Sequence, residues 1–196
     1  MTEEGERILG SIRQTREIFE DVAALLRTAE KAMERKGWVP ESNNAVTGAS
    51  GMISLPKAWL PSTAFRFFTN NAFPSLLAFI SVLLDDENSG EYTIPEPMVT
   101  AGLLDFGQGR KASETEWDYW YSEWYGYSSW YGAKRERNDW PIIQMGPTDD
   151  WKTKWKGAGA NEVTFQSFKC FGMPLITVTN DGDVQSKIVT PLLALV

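Results

Sequence analysis

The longest nearly apolar run in the chain is Leu76-Leu77-Ala78-Phe79-Ile80-Ser81-Val82-Leu83-Leu84. Its short length and the β-branched residues in its second half favour a strand buried in the centre of a sheet. A buried helix is the alternative interpretation. The polar stretch 85–90 ends the run, and residues 98–106 form a natural antiparallel partner across that loop.

Further strands are predicted on both sides of this pair. Residues 64–69 have strand composition, and the pattern predicts more strands at 141–145, 151–156, 163–168 and 175–179. Residues 40–62 mix proline, glycine, serine and asparagine with isolated apolar residues, which is typical of an irregular crossing. One short strand is predicted within this crossing, at 52–55.

A long helix precedes the strands. Residues 3–36 contain no proline, and apolar or small side chains recur at alternating steps of four and three. We call this set the heptad seam: Ile8, Ile12, Thr15, Phe19, Val22, Leu26, Ala29 and Met33. Acidic residues at the start and basic residues at the end complement the helix dipole, and Gly37 followed by Pro40 predicts the stop. Residues 1–37 are therefore predicted to form one amphipathic helix.

The heptad seam has two interpretations. At about 1.5 Å per residue it is roughly 40 Å long, more than a small domain needs to cover one sheet, so part of it would contact a second chain. The other interpretation places the whole helix on its own sheet, because Leu9, Ile18 and Leu25 widen the apolar stripe beyond a strict coiled-coil seam.

The chain closes with a second, shorter helix. Asn180-Asp181-Gly182-Asp183 predicts a turn with a helix N-cap. Val184, Ile188, Leu192 and Leu195 then follow at helical spacing, with a bend or restart expected at Pro191. We therefore predict a single α+β domain over residues 1–196, with a mostly antiparallel sheet of about five to six strands.

Two absences in the composition restrict the chemistry. The chain has no histidine and one cysteine, Cys170, so imidazole-based nucleophile relays are excluded and a zinc site is improbable. A single cysteine forms no intrachain disulfide, which favours a cytoplasmic protein. The aromatic neighbours of Cys170 indicate a buried small hydrophobe rather than a reactive thiol. No metal or cofactor is expected.

The charge and hydropathy of the chain exclude two broad classes of partner. A net charge of -7 argues against a surface that binds nucleic acid or anionic membrane as a whole. The longest apolar run is far shorter than the roughly 20 residues of a membrane helix, so no membrane partner is expected.

Residues 117–131 are unusually aromatic, with nine tryptophans or tyrosines among fifteen residues. Such side chains combine a large apolar area with one polar group, which suits the edges of pockets and interfaces. Either they fill the core and cover the sheet, or some bind a protein, a planar ligand or a sugar. Helical spacing places five candidate binding residues on one face: Trp117, Trp120, Tyr121, Trp124 and Tyr125.

A second candidate is the predicted strand at 151–156. Alternation along a strand puts Lys152, Lys154 and Lys156 on one face. They either follow the phosphates of a single-stranded nucleic acid or protect an outer strand against aggregation.

Carboxylates offer the only catalytic hypothesis. Asp105, Asp149 and Asp150, with Lys152, vaguely resemble the carboxylate and lysine arrangement of magnesium-dependent nucleases, in which carboxylates hold Mg²⁺ and the lysine assists the attacking water. Short acidic-x-Lys triplets arise by chance in most proteins, so the signal is weak.

The sequence does not identify a function, but it ranks the hypotheses. First stands an intracellular, non-enzymatic binding or assembly protein that uses the heptad helix and the aromatic segment, as a homo-oligomer or with another protein. The alternatives are a single-stranded nucleic-acid-binding protein and a magnesium-dependent phosphodiesterase or nuclease.

Overall fold

The N-terminal helix and a six-stranded sheet form the fold. The computed structural model describes residues 2–41, 46, 51–54, 60–61, 63–84, 96–107, 143–145 and 166–196, with 143–145 described by their backbone. Helix α1 spans Glu3–Glu34. The strands are β1 (Val39–Pro40), β2 (Thr63–Thr69), β3 (Leu76–Leu83), β4 (Met98–Asp105), β5 (Ile143–Met145) and β6 (Ser167–Pro174).

The two ends of α1 show why the helix starts and stops where the sequence predicts. Thr2 is the N-cap, and its Oγ1 accepts a hydrogen bond from the backbone N–H of Gly5 at 3.2 Å. After the helix, Gly37 adopts φ +80° in the left-handed region. The amide of Trp38 then donates to the carbonyl of Met33 at 3.1 Å, and that of Gly37 to Glu34 at 2.9 Å. These two bonds form a Schellman motif, which confirms the predicted stop.

The sheet is antiparallel at every described pairing, in the order β1-β2-β3-β4-β6-β5. The apolar run at 76–84 is the strand β3, and it pairs with β4 from Leu76 opposite Asp105 to Leu83 opposite Met98. The predicted central strand, its hairpin partner and the α+β class are confirmed. Strands β3 and β4 each have a strand on both sides. Their residues are buried on both faces of the sheet, apart from half-buried Leu76 and Asp105 at one end of the pair, which is typical of a strand covered above and below.

Some predicted strands are wrong. Residues 175–179 are not a strand, since Leu175–Thr177 form a 3-10 turn in which the amide of Leu175 donates to the carbonyl of Pro97 at 2.8 Å. The strand expected at 163–168 is β6, which begins at Ser167 and runs to Pro174 because β4 pairs with it over eight residues. Of the strand expected at 52–55, residue 52 has no regular structure and residues 53–54 form a turn. The predicted strand at 151–156 lies outside the described residues.

The main core lies between α1 and one face of the sheet, which we call the helix face. It contains alternate residues of four strands, among them Phe68, Ile80, Ala101 and Phe171, all buried. The other face is buried as well. Its aromatic rings form a row from Phe65 and Phe67 on β2 through Phe79 on β3 to Phe168 on β6, with centroid separations of 5.3, 6.3 and 5.9 Å.

The C-terminal helix, α2 at residues 181–193, packs against α1. Asn180 is its N-cap, as predicted, and its Oδ1 accepts from the amide of Asp183 at 3.0 Å. A π-helical segment, Val184–Val189, buries Val184, Ile188 and Val189, and α-helical geometry resumes at Thr190–Leu193. The change of geometry falls just before Pro191, which has no amide hydrogen to donate.

Candidate interaction surface on the N-terminal helix

Helix α1 divides into two parts of different burial. Its second part, residues 21–34, buries six side chains, and we call it the anchored half: Val22, Leu25, Leu26, Ala29, Ala32 and Met33. In its first part, residues 3–20, no residue is buried, and we call it the free half. The free half is about 27 Å long at about 1.5 Å per residue. The structure therefore places only the second half of the seam on the core and leaves the first half open.

The anchored half is fixed by polar contacts as well as by its apolar face. The guanidinium of Arg66 on β2, itself buried, donates to Oε2 of Glu30 through Nε at 2.6 Å and through a second nitrogen. Thr28 Oγ1 donates to Oδ1 of Asp181 at the start of α2, at 3.0 Å. These contacts hold the anchored half against both the sheet and α2. They therefore also fix the direction in which the free half continues from it.

The free half carries an apolar stripe that is open to solvent. Ile8 and Ile12 of the heptad seam are 52% and 45% exposed, and Phe19 at the end of the free half is partly buried. Leu9 lies beside them and is also partly buried. Ile18, 44% exposed, lies to one side of the seam. This stripe and the buried residues Val22 and Leu26 of the anchored half belong to the same seam.

Thr15 is the polar member of the seam in the free half. Its Oγ1 donates to the carbonyl of Ser11 at 2.9 Å, and Ser11 Oγ donates to the carbonyl of Arg7 at 3.1 Å. Both hydroxyls are therefore satisfied within the helix, and neither requires a polar group from a partner.

Charges on and next to the free half are grouped in bands. Its first turn carries three acidic residues, Glu3, Glu4 and Glu6. Three arginines follow, and a second acidic band begins at Glu17. The arginine band is Arg7, Arg13 and Arg16, and the second acidic band is Glu17, Glu20 and Asp21. One contact joins the first two bands, between Arg7 Nη2 and Glu4 Oε1 at 3.6 Å, with both side chains about three-quarters exposed.

Asp105 has a structural role that accounts for its position. It ends β4, and its Oδ1 accepts from the amide of Gly107 at 2.8 Å, while its carbonyl accepts from the amide of Gln166 at 2.6 Å. Gly107 has φ +82°, a conformation that favours glycine. The other predicted catalytic residues, Asp149, Asp150 and Lys152, lie outside the described residues. Within the described part of the chain, no three histidine, cysteine, aspartate or glutamate side chains gather as a metal site would require.

The other predicted binding residues also lie outside the described part of the chain. These are the aromatic candidates Trp117, Trp120, Tyr121, Trp124 and Tyr125, and the lysines Lys152, Lys154 and Lys156. Cys170 is described, and its burial raises the pKa of its thiol far above the usual range. The prediction that Cys170 is buried is confirmed.

Two further results bear on function. Among the helices that the structure describes, none is long and apolar enough to cross a membrane. Comparison with protein-family models, with curated proteins and with solved structures gave no match. A functional assignment therefore depends on the geometry of the chain itself.

Proposed function

We propose that this protein is a non-enzymatic assembly protein, and that the free half of α1 binds a second copy of the chain. One observation carries the proposal: the seam that is buried in the anchored half continues over about three further turns of the same helix, from Phe19 to Ile8, where none of its residues is buried. Isolated exposed isoleucines are ordinary on a protein surface. A row of them in line with a core-facing seam is typical of an interface.

The spacing of the stripe supports a helix as the partner. Steps of four and three give a repeat of 3.5 residues, which keeps a narrow seam facing another helix. A helix that lies on a membrane instead presents a broad apolar face opposite a basic one. Here the arginines alternate along the helix with acidic bands, and this favours a protein partner.

The apolar stripe itself is what a second copy would share. Each copy presents the same 3.5-residue seam on its free half, so two copies can bury these stripes against each other through one self-matching contact. The single cysteine, buried and unable to form an intrachain disulfide, supports a cytoplasmic location for this assembly.

The aromatic segment, the lysine strip and the carboxylate site depend on residues outside the described part of the chain. We therefore keep the aromatic segment as a second contact surface within the proposal. The nucleic-acid-binding and phosphodiesterase alternatives receive no support from the described residues and are not proposed.

Light scattering coupled to size-exclusion chromatography tests the assembly. The wild type is expected to elute as a dimer or higher oligomer at micromolar concentration, and Ile8→Gln/Ile12→Gln as a monomer of 22.1 kDa. In a dimer, four isoleucines contribute about 1 kcal/mol each if half of each side chain becomes buried. Their loss weakens association by about two to three orders of magnitude.

A matched control distinguishes the seam from general loss of apolar surface. Ile176→Gln makes the same change at an isoleucine that is 80% exposed but lies on the 3-10 turn after β6. This variant is expected to keep the oligomeric state of the wild type. Glutamine is a good helix former, so circular dichroism should show unchanged helix content in the double variant. A monomeric wild type at 100 µM contradicts the proposal.

A further inference from the structure

We infer that the aromatic segment, residues 117–131, packs on the aromatic face of the sheet and covers it. The aromatic face is the face opposite the helix face, and it carries the row of rings from Phe65 to Phe168. This contact lies within one chain and does not depend on the proposed self-association. Three observations support it, which are the burial of this face, the direction of β5 and the distribution of charge along the chain.

The aromatic face is covered, although α1 and α2 pack on the opposite face. Leu77, Phe79 and Leu104 lie on the aromatic face and are at most 2% exposed in a single copy of the chain. The buried apolar residues of α1 and α2 all belong to the core on the helix face. A side chain in the middle of a sheet is buried only when another layer packs on it. The cover therefore belongs to the same chain and comes from outside the described residues.

The direction of β5 shows which connection crosses this face. Strands β4 and β5 both pair antiparallel with β6, so they run parallel to each other. Gly102 of β4 and Ile143 of β5 lie opposite the same residue of β6, Cys170. Parallel strands of one sheet are joined by a connection that crosses over one of its faces. Residues 106–142 form that connection.

The helix face has no room for this crossing. There α2 contacts β4, and its Leu192 belongs to the same core as Phe171 of β6. Just after α2, the carbonyl of Leu195 accepts a hydrogen bond from Nζ of Lys169 on β6 at 2.8 Å. Interiors are close-packed, so a second layer cannot enter between α2 and these strands. The connection therefore crosses the aromatic face, and residues 117–131 lie in its middle.

The distribution of charge favours the same segment. Among the described strand residues on the aromatic face, none is charged. The aromatic segment has two charged residues in fifteen, Asp118 and Glu123, and charged residues are concentrated on both sides of it, at 110–116 and 134–139. The connection from β5 to β6, residues 146–166, has six. Burial of unpaired charge is costly, whereas tryptophan and tyrosine rings pack well on phenylalanine.

The position of the segment limits its role in binding. Rings that face the sheet complete a second core beside Phe79 and Phe168, and they are closed to a partner. Only rings on the outward side then provide the second contact surface of the proposed function.

Nuclear Overhauser contacts between methyl groups and aromatic rings test this packing in the intact chain. The methyl groups of Leu77 and Leu104 probe the aromatic face. Those of Leu103, the neighbour of Leu104 on β4, probe the helix face and serve as the matched control. Single substitutions assign the signals, from leucine to methionine for the methyl groups and from tryptophan to phenylalanine for the indole rings.

Contacts are expected from Leu77 or Leu104 to tryptophan or tyrosine rings of residues 117–131, and none from Leu103 to these rings. Contacts of Leu77 and Leu104 with rings of residues 146–166 instead, or with no ring of the aromatic segment, would overturn the inference. Self-association through the free half of α1 would still stand in either case.

A mixed sample shows whether the contact lies within one chain. Copies with protonated leucine methyl groups and deuterated rings are combined with copies that carry the opposite labelling. The contacts from Leu77 and Leu104 to the aromatic segment are expected to be lost in this sample. If they persist, the segment comes from a second copy, and packing within the chain is wrong.

Discussion

The ring of Phe79 lies directly over the backbone of Gly102, its partner on the neighbouring strand. A Cβ at position 102 would come within 2.5 Å of Cε1 of that ring and within 2.5 Å of the carbonyl oxygen of Lys169. The missing side chain lets Phe79 reach across β4 and stack on Phe168 of β6, with an interplanar angle of 8°. Gly102 is therefore a packing requirement of the sheet.

Replacement of Gly102 by alanine is expected to destabilise the protein by about 2–3 kcal/mol, because both the ring and a backbone oxygen have to move. Denaturant unfolding followed by circular dichroism measures the change. The matched control is Gly10→Ala, in the open free half, where alanine is expected to be neutral or to stabilise by up to about 1 kcal/mol. Equal effects of the two substitutions would show that the Phe79 contact is unimportant.

The ion pair between Arg66 and Glu30 is expected to contribute more to the stability of the fold than an exposed ion pair does. Glu30→Gln removes the carboxylate that the buried Arg66 guanidinium contacts, and the expected loss of stability is about 2 kcal/mol. This is less than the roughly 3–5 kcal/mol of fully buried pairs, since the Glu30 side chain keeps 26% exposure. Glu4→Gln at the exposed contact with Arg7 should change stability by less than about 0.5 kcal/mol.

A double variant separates the charge from the packing at this position. Arg66→Met/Glu30→Met is expected to be less destabilised than the sum of the two single changes, because an apolar pair has no charge to desolvate. Additive effects in this thermodynamic cycle, measured by chemical unfolding, would mean that the two side chains are not coupled.

Asp183 predicts a pH dependence of stability in the acid range. A hydrogen bond from Lys187, with others from the backbone and hydroxyl of Thr179, lowers the pKa of this carboxyl to about 2. Because the folded-state pKa lies below the unfolded value of about 4, the carboxylate stabilises the fold above pH 4. That contribution is lost as the pH falls from about 4 towards 2.

Thermal unfolding between pH 5 and pH 2 measures this contribution. Asp183→Asn is expected to lower the melting temperature at pH 5 and to approach the wild type near pH 2, where the wild-type carboxyl becomes protonated. Asp21→Asn, at an exposed aspartate of α1, controls for the loss of one acidic group. A constant difference between wild type and Asp183→Asn over this range would contradict the assignment.

The thiol of Cys170 is expected to resist modification in the folded protein. Burial raises its pKa and removes it from solvent, so iodoacetamide at pH 8 should leave it unmodified for as long as the fold persists. Mass spectrometry of native and denatured samples measures the modification. The introduced thiol of Glu34→Cys, at an exposed position, should react within minutes and serves as the positive control.

Local signals in the sequence are enough to predict several elements of the fold. The 3.5-residue repeat predicts α1, Gly37 predicts its end, Asn180 predicts the start of α2, and the apolar run at 76–84 predicts a central strand. Each depends on backbone preferences or on the spacing of side chains within one segment, and these act before any long-range contact forms. The Schellman motif at Gly37 shows how far such a signal extends, because its bonds span only residues 33–38.

The remaining features depend on contacts between segments that are distant in the chain. The 3-10 turn after β6 has strand-like composition, but its backbone bonds to Pro97, a residue far away in the chain. The extent of β6 is likewise set by its pairing with β4. Above all, a continuous seam does not reveal which part of it the domain covers. The covered part is set by how the sheet and α2 pack against α1, and the buried residues of α1 begin at Val22. The exposure of the seam before Val22 therefore follows from the fold and not from the seam pattern.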